Sequence, residues 1–278
     1  MNPLIQRAQE ISSRLPIIKI FSNNSISHNI GDIKDKKRGI GEEFWDYRDY
    51  QLGDPLKSID WKKSSKVNRI LIKNKENESS RNIWFWCNEG VSMNFRYSGK
   101  FEKKSERSKI LSLILIDIFL RSGEKVGIVG SELGLQNGQK RFISIASEFV
   151  NKSYKLYDSR IKKNDIVFVF SDFLEKPHII KKNLLNLTES IFQGFLVQIL
   201  DPSELTFPFK GRNQFFDPFS GLHKIFNKSE NMKDTYKSKF KNHQNELKKI
   251  CLRFGWKFFS NSTDSNYQSL LLQIYRSI

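Results

Sequence analysis

Proton transfer, metal binding and covalent catalysis each need particular groups at particular spacings. The stretch densest in such groups is Gly39 to Lys73, GIGEEFWDYRDYQLGDPLKSIDWKKSSKVNRILIK. Arg48, Asp54 and Asp60 are its acid-base candidates. A general acid or base needs a partner of matched pKa within hydrogen-bond reach, and no histidine falls in register with these three. His28, His178, His223 and His243 stand apart in the sequence, in neither a zinc spacing nor a triad arrangement. No phosphate-cradling glycine loop occurs. The offsets of Arg48, Asp54 and Asp60 suit an ion-pair and capping network instead, with Asp54 as N-cap and Pro55 as the first helical residue. Cys87 and Cys251 lie in apolar settings without a CxxC, which reads as buried free thiols in a reducing compartment.

Residues 3–14 have the spacing of a short amphipathic helix ended by Pro16. Residues 17–38 read as a polar linker. The Gly53-Asp54-Pro55 turn opens a helix carrying Ile59 and Trp61, and Asn68 to Lys73 is a strand. From residue 82 strands and helices alternate: strands at Ile83–Cys87, Lys125–Val129, Asp165–Phe170, Gly194–Leu200 and Trp256–Phe259, and helices at Glu102–Arg121, Phe142–Val150, Pro177–Phe192, Ser229–Phe254 and Asp264–Tyr275. A long loop with a small hairpin covers 201–227. Such alternation predicts an open, mostly parallel sheet covered on both faces. Trp84 and Trp86 alternate on a strand and are expected to pack under helices rather than stack bases.

The chain has 278 residues, 38% of them hydrophobic, enough for a substantial core and incompatible with a disordered protein. Lys and Arg number 47 against 30 Asp and Glu, a net charge of +17 that favours acidic partners. The cations are spread along the chain; Lys233, Lys237, Lys241 and Lys248 share one face of a helix. This distribution reads as a basic background, with a nucleic-acid-associated protein as the alternative. The N-terminus lacks the apolar core of a secretory signal. The longest apolar run, Ile110 to Leu120, is broken by Ser112 and Asp117 and is too short to span a bilayer. A cytoplasmic protein is expected.

The run GEEFWDYRDYQLGDPLKSIDWKKSSK resembles the hallmark of the domain of unknown function 58 family through Gly41, Phe44, Arg48, Tyr50, Gly53, Asp54, Ile59, Asp60, Trp61 and Ser64. Lys57, Ser65 and Lys66 depart from its usual Arg, Ala and Arg. Downstream, Asp201-Pro202-Ser203-Glu204 with Pro208-Phe209 and Gly211-Arg212 looks like the D-P-x-E…P-F…G-R segment of one branch, and Gly255-Trp256 with Thr263-Asp264 looks like its terminal segment. The resemblance implies a doubly wound, mostly parallel α/β sheet of von Willebrand factor A (Rossmann-like) type with an N-terminal family-specific extension. The expected divisions are 1–38 (helix and linker), 39–81 (signature, with short strands and a helix) and 82–278 (the sheet domain).

Domains of that type carry a metal-ion-dependent adhesion site built on D-x-S-x-S, a Thr and a late Asp. Here Asn88 replaces the first Asp and Gly90 the first Ser, and no Thr lies in 131–141. Ser92 and Asp172 remain, a degenerate site for Mg²⁺, which prefers carboxylates. Glu89 points the other way from such a loop. No other cofactor is expected. The resemblance further implies a non-catalytic protein-interaction module that partners a MoxR-type AAA+ ATPase in assembling or activating other proteins.

Overall fold

A computed structural model of the chain describes residues 2–17, 44–50, 59–67, 69–75, 82–188 and 191–278. The chain divides into two compact units, one of 1–19 with 81–278 and one of 20–80.

Helix α1 (Pro3–Ser13) opens on Asn2, whose Oδ1 accepts the Leu4 N–H at 2.9 Å, with Pro3 in the first turn where its missing N–H costs nothing. Ile5 and Ala8 are buried. The helix belongs to the larger unit rather than to a separate segment with 17–38.

The smaller unit pairs β1 (Phe44–Asp49) antiparallel with β2 (Leu71–Lys75), and α2 (Trp61–Val67) lies between them in sequence. The expected helix through Ile59 starts later. Ile59 is buried and forms an isolated antiparallel bridge with Ile72, so an apolar β-branched residue joins the sheet instead. The expected cap at Asp54 and the turn at Gly53 lie outside the described residues.

The larger unit continues with β3 (Asn82–Cys87), α3 (Lys104–Arg121), β4 (Lys125–Ile128), β5 (Gln136–Asn137), α4 (Phe142–Asn151), β6 (Asp165–Ser171), α5 (Pro177–Thr188), β7 (Ile191–Leu200), α6 (Pro202–Thr206), β8 (Asn213–Phe216), β9 (His223–Phe226), α7 (Lys233–Arg253), β10 (Lys257–Ser262) and α8 (Tyr267–Tyr275). Its six-stranded sheet runs β10-β7-β6-β3-β4-β5, parallel except for β5, which is antiparallel to β4. The expected helix over 177–192 stops at Thr188, and β7 begins at Ile191, three residues earlier than expected. Likewise α8 begins at Tyr267, where Asn266 caps it by accepting the Gln268 N–H at 3.0 Å.

Alternation along each strand builds two cores. On one face Phe85, Phe168 and Phe195 stack across three strands, at 5.1 and 4.4 Å between centroids, and Phe119 of α3 covers them. On the other, Trp84, Val167, Val169 and Leu196 pack with Ile180 and Leu184 of α5 and Leu247 and Ile250 of α7. Trp84 and Trp86 donate their indole N–H groups to Asp165 and to the Tyr154 carbonyl at 2.8 Å each, packing roles rather than base stacking. Cys87 and Cys251 are free and buried, and burial pushes both thiols up to about 12.

Trp256 lies flat against Gly194 of β7. A Cβ there would sit 2.0 Å from the indole, on a ring that belongs to the buried core cluster and has no free space to move into. Gly194→Ala is expected to lower unfolding free energy by about 1–3 kcal/mol, read as a shifted urea midpoint at unchanged slope.

Candidate functional site

In an open parallel sheet, the crevice that accepts ligands lies at the carboxyl ends of the strands where the strand order reverses. Here β3 connects to β4 on one side while β6 lies on its other side, so the reversal falls between β3 and β6. At those strand ends stand the turn after β3, Ser171-Asp172 after β6, and Asp201 after β7.

The chemistry there centres on a buried lysine. Lys104, in the first turn of α3, is 1% exposed; its Nζ lies 2.9 Å from Asp172 Oδ2 and 2.7 Å from Glu204 Oε1. A cation at a helix N-terminus opposes the helix dipole, and a buried one needs paired, hydrogen-bonded anions. Asp172 and Glu204 fill that need from β6 and α6. The Asp201-Pro202-Ser203-Glu204 motif positions the second anion. Asp201 caps α6 by accepting the Ser203 N–H at 2.8 Å, and Glu204 Oε2 accepts the Asp201 N–H at 2.8 Å, a capping box. The other oxygen of Glu204 is thereby aimed at Lys104.

The Asp172 backbone carbonyl accepts from the buried Gln198 side chain at 2.9 Å, and Phe173, the next residue, sits at φ 47°. That left-handed conformation costs a phenylalanine free energy and persists where surrounding structure enforces it. Burial holds the Glu204 carboxyl above the usual range despite the pull of Lys104. Burial and the Asp172 charge do the same to Glu175.

A raised folded-state pKa means that the folded protein holds this proton more tightly than the unfolded chain. Between the unfolded value near 4.5 and the higher folded value, stability falls as pH rises; outside that window Glu204 contributes no slope. The stability difference between the parent and Glu204→Gln is therefore expected to grow in the parent's favour as pH drops through the folded pKa toward 4.5. A difference that stays flat over that range contradicts the assignment.

The resemblance to metal-dependent adhesion sites named Ser92 and Asp172. Asp172 is spent on Lys104. Asn88 donates to Ser171 Oγ at 2.9 Å, and its own oxygen accepts the Gly90 N–H at 2.9 Å. Ser92 is buried in the short turn Val91–Asn94. Glu89 pairs with Lys109 at 2.9 Å. A divalent cation would have to displace an ammonium already held by two carboxylates, so the residues present do not fit Mg²⁺. Among the described residues no group of three His, Cys, Asp or Glu side chains is arranged to hold a metal.

One turn along α3, Arg107 is a second buried cation, 2% exposed. Its Nε donates to Asn261 Oδ1 at 3.0 Å and its Nη2 to the Ser265 carbonyl at 2.5 Å, and the guanidinium stacks 3.5 Å from the Tyr267 ring centroid. Sequence reasoning counted both only within a basic background spread along the chain. The available signal was their place in a buried stripe, Lys104, Arg107, Leu111, Ile114 and Ile118, spaced 3, 4, 3, 4 along the helix.

In the smaller unit, Asp60 accepts from Tyr47 Oη at 2.8 Å and from the Lys63 N–H at 3.1 Å, capping α2. The Asp60 bond holds the Tyr47 hydroxyl above its usual pKa. Ser64 bonds the Asp60 carbonyl at 2.7 Å and accepts the Leu71 N–H at 2.9 Å, tying the helix to β2. The D-W-x-x-S part of the signature thus closes a structural loop. Trp61 is 64% exposed. The Tyr50 N–H donates to the Ile70 carbonyl at 2.8 Å. Arg48 aligns with Ile72 in the β1–β2 ladder, while Gly53 and Asp54 lie outside the described residues.

A family model described as a protein of unknown function, DUF58, matches residues 46–246. No curated protein matches the chain. Among solved structures, the conserved hypothetical protein BatB of Bacteroides thetaiotaomicron is similar at 12% identity and TM-score 0.39, covering 71% of this chain and 98% of that one. An aerotolerance-related membrane protein of Bacteroides fragilis, carrying multiple mutations to serines, is similar at 14% identity and TM-score 0.39, covering 72% of this chain and 100% of that one.

Proposed function

The chain belongs to the DUF58 family, and we propose that it acts as a non-catalytic protein-interaction module. The partner of this reading is a MoxR-type AAA+ ATPase, with which it assembles or activates other protein complexes in the cytoplasm. The observation that carries the reading is the self-satisfied charge cluster at the strand ends. Asp172 and Glu204 are committed to Lys104, and Asp201 to the α6 cap. Groups so engaged shape a surface and keep it in one conformation; they are not poised to exchange protons with a substrate.

A von Willebrand factor A-type reading of the fold accords with this role: the sheet is parallel with one antiparallel edge strand, and its strand order reverses between β3 and β6, where such sheets accept ligands. No helix among the described residues is long and apolar enough to cross a membrane.

The test is an affinity capture of the tagged chain with a MoxR-type AAA+ ATPase of the same organism, with and without ATP. Retention of the ATPase, weakened by substitutions at the exposed Val91 and Asn94, supports the reading. No retention in either nucleotide state counts against the ATPase as partner. The alternative of a nucleic-acid-associated protein rests on the +17 charge; it predicts a salt-dependent gel shift, and absence of binding at low salt removes it.

A further inference from the structure

The β8–β9 hairpin joins a fixed root to an apolar tip. Phe216, Phe219, Leu222 and Ile225 are 49%, 50%, 70% and 52% exposed, four large apolar side chains within ten residues. The ladder register puts Phe216 opposite His223 and Gln214 opposite Ile225, so the outward face carries Phe216 and Ile225 while Phe219 and Leu222 crown the turn. The opposite face is covered: Phe215 packs against Phe207 and Phe209 at 5.9 and 5.1 Å. The root is pinned, with the Ser229 N–H on the Gly211 carbonyl at 2.9 Å and the Gly211 N–H on Glu230 at 2.8 Å. The exposed residues are therefore held outward by a rigid scaffold.

Charge follows the same axis. Lys210, Arg212, Lys224 and Lys228 are exposed and sit behind the tip, and Asp217 is the one acidic residue between 205 and 228. Its carboxylate is engaged within the turn, accepting the Phe219 N–H at 2.9 Å and the Ser220 hydroxyl at 2.5 Å, and these bonds lower its pKa. The turn also pairs its own backbone: the Asp217 N–H donates to the Leu222 carbonyl, and the Gly221 N–H to the Asp217 carbonyl, at 2.9 Å each. The N–H groups of Asp217, Phe219 and Gly221 are thereby paired within the turn, which lowers their cost of approaching a lipid interface.

We propose that the hairpin is a membrane-surface anchor that dips Phe219 and Leu222 into the acyl boundary of an anionic bilayer, with Lys210, Arg212, Lys224 and Lys228 at headgroup level. An apolar tip with cations set back along one axis matches a layer of anionic headgroups over hydrocarbon, and the net charge of +17 acts in the same direction. A flat acidic protein surface would match the cations and leave the tip without a partner.

The test is flotation of the 278-residue chain with phosphatidylcholine vesicles and with vesicles containing phosphatidylglycerol. Expected is binding to the anionic vesicles alone, reversed by high salt, and weakened about tenfold or more in Phe219→Ser/Leu222→Ser. Both positions are on the surface, so folding is preserved and is checked by far-UV circular dichroism. The quadruple change of Lys210, Arg212, Lys224 and Lys228 to Ser is expected to abolish binding with the tip intact. Failure of the parent to bind anionic vesicles overturns the proposal. So does equal binding to uncharged vesicles, or a tip variant that binds like the parent, either of which would assign the hairpin to a different partner.

Discussion

Lys104→Met lowers the unfolding free energy of the sheet-bearing unit by about 3–5 kcal/mol, the cost of removing one partner from a buried ionic cluster. Methionine fills nearly the same volume, so the loss is electrostatic rather than a cavity effect. Asp172, 1% exposed, and Glu204, 13% exposed, then face each other with no cation between them. Two such anions relieve the repulsion by protonation or by recruiting a cation from solution. Glu204 already holds its proton more tightly than usual, so the variant regains stability in mild acid. Added Mg²⁺ raises the variant's urea midpoint and leaves the parent's unchanged, because in the parent the ammonium occupies the position between the carboxylates. A parent protein that Mg²⁺ stabilises, with the effect lost in Asp172→Asn, would overturn the view that Lys104 is the resident cation.

That cluster also marks where the sequence could be read and where it could not. Strand β6, DIVFVFS, is buried at every position and reads as a central parallel strand from its run of β-branched and aromatic residues. The apolar half of α3 was equally plain. Burial of Lys104 and Arg107 was hidden because residue type argues for solvent, while their partners lie far away in sequence: Asp172 is 68 residues on, Glu204 100 and Asn261 154.

The place of α1 was hidden for the same reason. The Ser12 hydroxyl donates to Asp117 at 2.7 Å and the Ser12 carbonyl accepts from Arg121 at 2.7 Å, contacts separated by 105 and 109 residues. Local signals mark helix ends and turns; they do not say which distant charge will meet which. The family signature shows the converse. Asp60, Ser64 and Tyr47 lie within eighteen residues of one another, so this capping network is local; the sequence reading included Asp60 in such a network but opened the helix at Asp54.

Substitution at Arg107 separates charge from geometry. The guanidinium spans three elements, bonding Asn261 of β10, the Ser265 carbonyl ahead of α8, and stacking on Tyr267, whose hydroxyl in turn donates to Glu102 at 2.5 Å. Arg107→Lys keeps the charge and loses the planar fork. An ammonium can keep one of these bonds, so Asn261 or the Ser265 carbonyl is left short of a donor, and the expected cost is about 1–3 kcal/mol. Arg107→Met removes every donor, leaving both Asn261 Oδ1 and the Ser265 carbonyl without this partner while Glu102 keeps Arg7 and the Tyr267 hydroxyl, and is expected to cost about 2–4 kcal/mol.

The damage should be local before it is global. β10 is an edge strand bonded to β7 alone, and α8 packs beside it. Loss of the Arg107 clamp is expected to raise amide hydrogen exchange across 257–275 while the central strands β3 and β6 keep their protection. Uniform loss of protection would show that Arg107 supports the whole sheet rather than its edge. A lysine variant within about 0.5 kcal/mol of the parent would show that charge suffices and that the fork geometry contributes little.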